Sequence, residues 1–242
     1  MLPEKLQAIV LSSTKYGESD RIVTLFTLEH GRLKGFARGA CNSRKRFGPA
    51  LETFARIDVQ LLRKEGLSSL RGADIIQLYS GIRSELHGIA YALYACELVE
   101  CLTPEAHPLP RLYRLLTAYF EHIDVGTGGE VGRRFFEINL LNILGYRPSL
   151  DCCCRCGTEF AEDWVQMQQE GELVCRLCST SGRKIELSAL QSLNNCLATG
   201  HFGRILFDES SLRDAAFLLD ESISTHVGRK LKSLEFLDQV RQ

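Results

Sequence analysis

Four cysteines fall into two pairs of equal spacing, Cys153-x-x-Cys156 and Cys175-x-x-Cys178, with 18 residues between the pairs. Two intervening residues let both sulfurs of a pair reach one ion, and Gly157 lets the chain turn behind the first pair. Thiolates are soft ligands and favour Zn2+ over magnesium or calcium. Four protein ligands close the coordination sphere, leaving no position for an activated water, so the zinc expected here is structural. Cys154 competes with Cys153 for the first ligand position. Cys153 is preferred because it keeps the C-x-x-C-G register. Cys41, Cys96, Cys101 and Cys196 read as core or surface thiols. No phosphate-binding G-x-x-x-x-G-K-[ST], no H-E-x-x-H, no G-x-S-x-G and no complete G-x-G-x-x-G occurs. The cysteines also lack the His-x-Glu of zinc deaminases. The chain is not expected to be an enzyme.

A second set of residues fits nucleic acid. Residues 1–80 hold 13 Lys and Arg against 8 Asp and Glu, a net charge of +5, whereas the remainder stands at −6. No acid lies between Glu29 and Glu52, where six basic residues do. In the stretch Arg32–Arg38, strand alternation puts Leu33, Gly35 and Ala37 on one face and Arg32, Lys34, Phe36 and Arg38 on the other. Cations interleaved with an aromatic ring suit single-stranded nucleic acid, which offers phosphates and stackable bases. The following loop, Gly39–Gly48, adds Arg44, Lys45 and Arg46 beside Phe47.

These residues need a scaffold, and hydrophobic periodicity supplies two kinds. Residues 1–80 are predicted to form strands at Gln7–Ser13, Arg21–Leu28, Arg32–Arg38, Phe54–Arg63 and within Leu70–Tyr79, with a hairpin turn at Glu29-His30-Gly31. Ala55, Ile57, Val59 and Leu61 alternate with Arg56, Asp58 and Gln60, as in a half-buried antiparallel strand. Five short strands in so few residues suit a small barrel. After Ser80 the period becomes helical. Apolar stripes start at Leu86, Leu112, Val131 and Leu190, and a further helix follows a cap at Ser210 or Ser211. The fold expected is α+β and multidomain: a barrel over residues 1–80, then an all-helical domain over 81–242 carrying the cysteine insert at about 150–182. With 242 residues, 45% hydrophobic and 24% charged, the composition is that of a globular protein. No apolar stretch is long enough for a bilayer and no signal peptide opens the chain, so a reducing cytoplasm is expected.

The order of several short motifs resembles the RecO family of bacterial recombination mediators. They are Tyr16-Gly17-Glu18-Ser19-Asp20, the Thr27…Gly31 hairpin, Gly39…Arg44-Lys45-Arg46-Phe47-Gly48 and Leu51-Glu52-x-Phe54. Farther on come Arg134-Phe135-Phe136-Glu137 through Leu144-Gly145-Tyr146, the cysteine insert, and Leu231-Lys232-Ser233-Leu234-x-Phe236-Leu237. The triple Cys152–Cys154 departs from the usual single pair. The resemblance implies an N-terminal OB-fold barrel, a helical domain and a zinc-binding insert. It further implies non-catalytic DNA repair and recombination work in the nucleoid. That work is binding single- and double-stranded DNA, annealing complementary strands, and loading RecA onto DNA coated by single-stranded DNA-binding protein, together with RecR. The acidic tail of that coating protein is an expected partner, and Arg133 and Arg134, beside Phe135 and Phe136, are the expected contact. A zinc-ribbon RNA-binding or transcription accessory protein is the alternative reading.

Overall fold

The computed structural model describes residues 3–43, 45–64 and 66–240. Five strands, β1 (Glu4–Tyr16), β2 (Asp20–Thr27), β3 (Gly31–Ala37), β4 (Arg56–Leu62) and β5 (Leu67–Gln77), close into a barrel in the order β1-β2-β3-β5-β4. Neighbours are antiparallel except β3 and β5, which run parallel over Lys34–Phe36 and Leu67–Ser69. This is the N-terminal five-stranded barrel expected. β1 is long because it serves two neighbours. Residues Glu4–Ile9 pair with β4 and Ala8–Tyr16 with β2, and a bulge between Val10 and Ser12 bends the strand round the barrel. It extends past the stretch predicted because Thr14, Lys15 and Tyr16 pair through backbone while their side chains stay exposed, which leaves no hydrophobic signal.

Alternation along β3 follows the sequence reading. Leu33, Gly35 and Ala37 are buried, Lys34 is exposed, and Arg32 and Phe36 are half-buried. A Cβ on Gly35 would lie 1.9 Å from Leu70 Cδ1, so a side chain here would have to displace Leu70 within the barrel core. The β2–β3 hairpin is held by Thr27, whose hydroxyl accepts from the His30 N–H (3.0 Å) and donates to the Gly31 carbonyl (2.9 Å). Between β3 and β4, Phe47, Ala50 and Leu51 enter the barrel core, and the Ala73 N–H of β5 donates to the Arg46 carbonyl at 2.9 Å.

Packing groups the elements into two compact units, residues 1–126 with 231–242, and residues 127–230. The first joins the barrel to α1 (Ser80–Ser84), α2 (Leu86–Leu102), α3 (Pro110–His122) and α7 (Lys232–Val240); the second holds α4 (Glu130–Leu144), α5 (Leu187–Thr199) and α6 (Glu209–Val227). The element-type division at residue 80 therefore differs from the division by packing. Its reason is the apolar face of α2 and α3: Tyr113 stacks on Phe26, and Phe120 meets Phe54 and Tyr79 edge-on. α2 is buried on most of its surface and packs on β1 and α7. Glu97 of α2 fixes α7, its carboxylate accepting from the backbone N–H groups of Lys232 (3.3 Å) and Ser233 (2.8 Å). Those are orphan donors of a helix N-terminus, which a carboxylate satisfies and stabilises.

In the second unit the insert carries a three-stranded antiparallel sheet, β7-β6-β8, made by β6 (Trp164–Met167), β7 (Leu173–Val174) and β8 (Arg183–Glu186). Its strands are too short for a periodic signal. The cap of α6 is Asp208, which corrects the expected Ser210 or Ser211. Its carboxylate accepts from the Ser211 N–H (2.8 Å) and from both serine hydroxyls, and these bonds hold it down at about 2.

The core of this unit also contains an ionic cluster. Arg133 Nε donates to Glu137 Oε1 (2.8 Å) and Arg134 Nη1 to Glu137 Oε2 (2.7 Å); Asp220 of α6 accepts from both arginines (3.1 and 2.6 Å). Arg134 also bonds Glu130 (3.2 Å). The Glu137 side chain is 0% exposed and each arginine 2%. Buried charges persist only when paired, so removing one partner strands the others.

Two stability outcomes follow from these contacts. Glu137→Gln should lower unfolding free energy by about 3–5 kcal/mol, because two dry guanidiniums lose their shared carboxylate charge. Phe47→Ala should cost about 3–5 kcal/mol by emptying the barrel core, whereas Lys45→Ala should change stability by no more than about 0.5 kcal/mol. Urea denaturation of the full chain checks both. A Phe47→Ala value near that of Lys45→Ala would contradict its role as core.

Candidate functional site

The insert brings four sulfurs together. Sγ atoms of Cys153, Cys156, Cys175 and Cys178 all lie within 4.8 Å of one another, and Cys156 and Cys175 stand 3.7 Å apart. A tetrahedral zinc with Zn–S bonds of about 2.3 Å needs sulfurs about 3.8 Å apart, so the donor set fits that ion. Two turns build it. The Gly157 N–H donates to the Cys153 carbonyl (2.9 Å), with Gly157 at φ +73°, and the Cys178 N–H donates to the Cys175 carbonyl (3.1 Å). Burial raises the Cys153 thiol, but N–H groups of Cys175, Cys156 and Arg155 aimed at its sulfur outweigh this and bring it down to about 6. Thiolate character at neutral pH is what a metal ligand requires. Cys154 stays outside the cluster: its side chain is exposed and its N–H is tied to Leu173 of β7 (3.0 Å). Cys152 lies against Ser149 (3.2 Å). Cys96 and Cys196 are buried, and burial pushes the Cys196 thiol up to about 12, as suits inert core sulfurs.

The outward row of β3 lies on the barrel surface. Lys34 is 48% exposed, Phe36 is half-buried, and Arg38 is exposed. Beside Phe36 stands Tyr16 at the end of β1, 57% exposed, the two rings meeting edge-on with centroids 5.9 Å apart. Tyr16 enters the sequence reading only as a motif residue. Its pairing with Phe36 depends on the β1–β2–β3 register, which seats Tyr16 opposite Asp20 and Phe36 opposite Ile22. Arg32 is less free: its Nε donates to the Thr103 carbonyl (3.0 Å) and Nη1 reaches Glu105 (3.5 Å).

In the loop that follows, Lys45 is exposed and Arg44 lies outside the described residues. Arg46 is exposed but partly structural. It donates to the Arg38 carbonyl (2.9 Å) and to Ser43 (3.0 Å), and its guanidinium lies 5.1 Å from the Phe47 ring centroid. Phe47 itself is 3% exposed and belongs to the core, so no base stacks on it. The described residues thus put an aromatic pair and Lys34, Arg38, Lys45 and Arg46 on the barrel surface and its loop.

Arg133 and Arg134 do not form the surface pair expected of a peptide contact. Both are spent in the cluster with Glu130, Glu137 and Asp220, which corrects that expectation. The sequence showed a run of charge on an apolar helix, and only Asp220, 86 residues beyond Arg134, completes the reason for its burial.

Comparison with known proteins agrees with this architecture over nearly the whole chain. Residues 1–79 match the family model described as Recombination protein O N terminal, and residues 83–235 match Recombination protein O C terminal. Curated relatives named DNA repair protein RecO include that of Pelobacter propionicus, 56% identical over 99% of this chain and 98% of its own. Those of Geobacter metallireducens (52%; 98% and 97%) and Geobacter sulfurreducens (49%; 99% and 99%) are also similar. No helix among the described residues is long and apolar enough to cross a membrane. With a five-stranded barrel ahead of a helical region that holds a four-cysteine cluster, and both family models matched in chain order, the chain belongs to the recombination protein O (RecO) family.

Proposed function

We propose that this chain is a non-catalytic DNA repair and recombination mediator that binds DNA through its barrel, anneals complementary strands, and works with RecR to load RecA onto DNA coated by single-stranded DNA-binding protein. The observation that carries the reading is the β3 face, where Lys34 and Arg38 flank Phe36 and its neighbour Tyr16. Phosphates of a single strand meet the cations, and bases stack on the rings. The relatives' shared name, DNA repair protein RecO, supports the same role. RecR and the tail of the coating protein are proposed partners, and no residue is assigned to either.

Salt separates the two kinds of contact. Each phosphate neutralised on a single strand contributes about −0.7 to the slope of log affinity against log salt. Replacing Lys34, Arg38 and Lys45 together by alanine should make the slope shallower by up to roughly two units and weaken all sequences alike. Phe36→Ala should cost about 1–3 kcal/mol of binding with the slope nearly unchanged. Fluorescence anisotropy of a labelled oligonucleotide against salt reads both. Wild-type slope and affinity in the triple variant would place the DNA elsewhere.

We further propose that the cysteine cluster holds one structural zinc ion. Apparent binding energies of about 10–16 kcal/mol for such modules mean that the insert keeps its shape only with the metal. Elemental analysis should find one zinc per chain. Cys175→Ser or Cys178→Ser should lose it and open residues 150–182 to protease, while Cys154→Ser should retain it. Purified protein without stoichiometric metal, or retention by the Cys175 variant, would overturn the assignment.

A further inference from the structure

Along β3 the cations are not equally available: Arg32 and Lys34 share one carboxylate, and Arg32 is held besides by the Thr103 carbonyl. Glu105 Oε1 lies 3.5 Å from Arg32 Nη1 and 3.8 Å from Lys34 Nζ, so a single negative group bridges two members of the β3 row. It is brought there by the segment after α2, which lies on β3. The Ala106 N–H donates to the Arg32 carbonyl (2.9 Å), and Arg32 and Glu105 form a parallel bridge. The fit is close: a Cβ on Gly31 would fall 1.8 Å from the His107 carbonyl oxygen, and Ala106 adopts φ +54°, a conformation that non-glycine residues rarely take. Strain and close approach of this kind persist where the surroundings enforce them.

Glu105 also borders a cleft of about 570 Å³, whose other walls include Arg32, Lys34, Ser68, the cations Arg63 and Lys64 of the β4–β5 connection, and Glu4, which is paired with His30. Four cations therefore converge on one open space. Arg63 and Lys64 carry no weight in the sequence reading, because they stand 29 or more residues from Lys34 and only barrel closure puts them beside it.

We propose that this cleft is a phosphodiester-binding subsite and that Glu105 is its built-in competitor, a carboxylate occupying the place of a phosphate until a nucleic-acid strand displaces it. The inference rests on the barrel reading above and extends it in two ways. It carries the strand from β3 toward Arg63 and Lys64, and it makes Glu105 the residue that sets affinity. A carboxylate and a phosphate are both anionic oxygen acceptors for a guanidinium or an ammonium, so they exclude one another at Arg32 and Lys34. Glu105 is 51% exposed, so displacing it requires no opening of the core.

The test uses the full-length chain, a fluorescent single-stranded oligothymidylate and salt titration. Glu105→Gln keeps the size of the side chain and removes its charge. It should tighten binding about fivefold at 0.1 M salt, the effect of deleting one close like charge near the protein surface, and steepen the salt slope by about 0.7 if one more phosphate is neutralised. Glu85→Gln makes the same change in net charge at the opposite end of α2, roughly 25 Å away along the helix, and should leave affinity unchanged. Arg63→Ala with Lys64→Ala should weaken binding and flatten the slope. Thermal melting of each variant confirms that the fold is intact. If Glu105→Gln binds no tighter than wild type while Lys34→Ala weakens binding, the competitor role is overturned and the barrel reading stands. If Lys34→Ala and the Arg63, Lys64 pair are both without effect, the barrel reading itself fails and the subsite fails with it.

Discussion

The barrel is closed by a short seam, three residue pairs joining β3 to β5 in parallel. A parallel neighbour cannot be reached by a tight hairpin, so the chain must leave β3, cross an end of the barrel and lay down β4 before it returns. Residues 38–55 make that crossing with little ladder of their own. Phe47, Ala50 and Leu51 anchor it by filling the core, and Arg46 is drawn along by its carbonyl's bond to Ala73. The same seam covers only the second half of β3. The first half would present unpaired backbone, and the segment at Glu105 and Ala106 takes that edge. Loop and edge strap are thus consequences of one topological requirement.

Charge in this protein divides sharply between dry and wet settings. Glu137, Arg133 and Arg134 are withdrawn from water and paired with one another, with Glu130 and with Asp220, so their worth lies in fixing how α4 meets α6. Lys34, Arg38 and Lys45 are solvated, and the carboxylate paired with Lys34 stands off at 3.8 Å. Only charges of the second kind can exchange a counterion or an internal carboxylate for a phosphate at modest cost.

How much of this was legible in the sequence depends on the range of the determining interaction. Alternation is local, so the sides of Leu33, Lys34 and Phe36 could be read directly, as could the knuckle spacing of Cys153, Cys156, Cys175 and Cys178. The alternation of Ile57, Val59 and Leu61 likewise matched burial. Features set across the fold were not legible. Arg133 and Arg134 look like surface residues until Asp220 is placed against them. Tyr16 becomes part of a ring pair only through strand register, and Glu105 reaches β3 from beyond a helix of 17 residues. Phe47 sits in a basic loop with no periodicity to show its side, and its burial follows from the need to plug the barrel. The small sheet of the insert escaped because strands of two to four residues have no measurable period.

The return of α7 to the barrel-bearing unit, fixed by Glu97, makes that unit discontinuous in sequence. Its first 126 residues leave the ribosome well before the helix that packs against α2, and the whole of residues 127–230 is synthesised in between. The later unit is contiguous in sequence. The earlier one must wait, with part of α2 uncovered, until synthesis delivers α7. A chain ending after residue 230 would hold every residue of the second unit and lack the helix that completes the first.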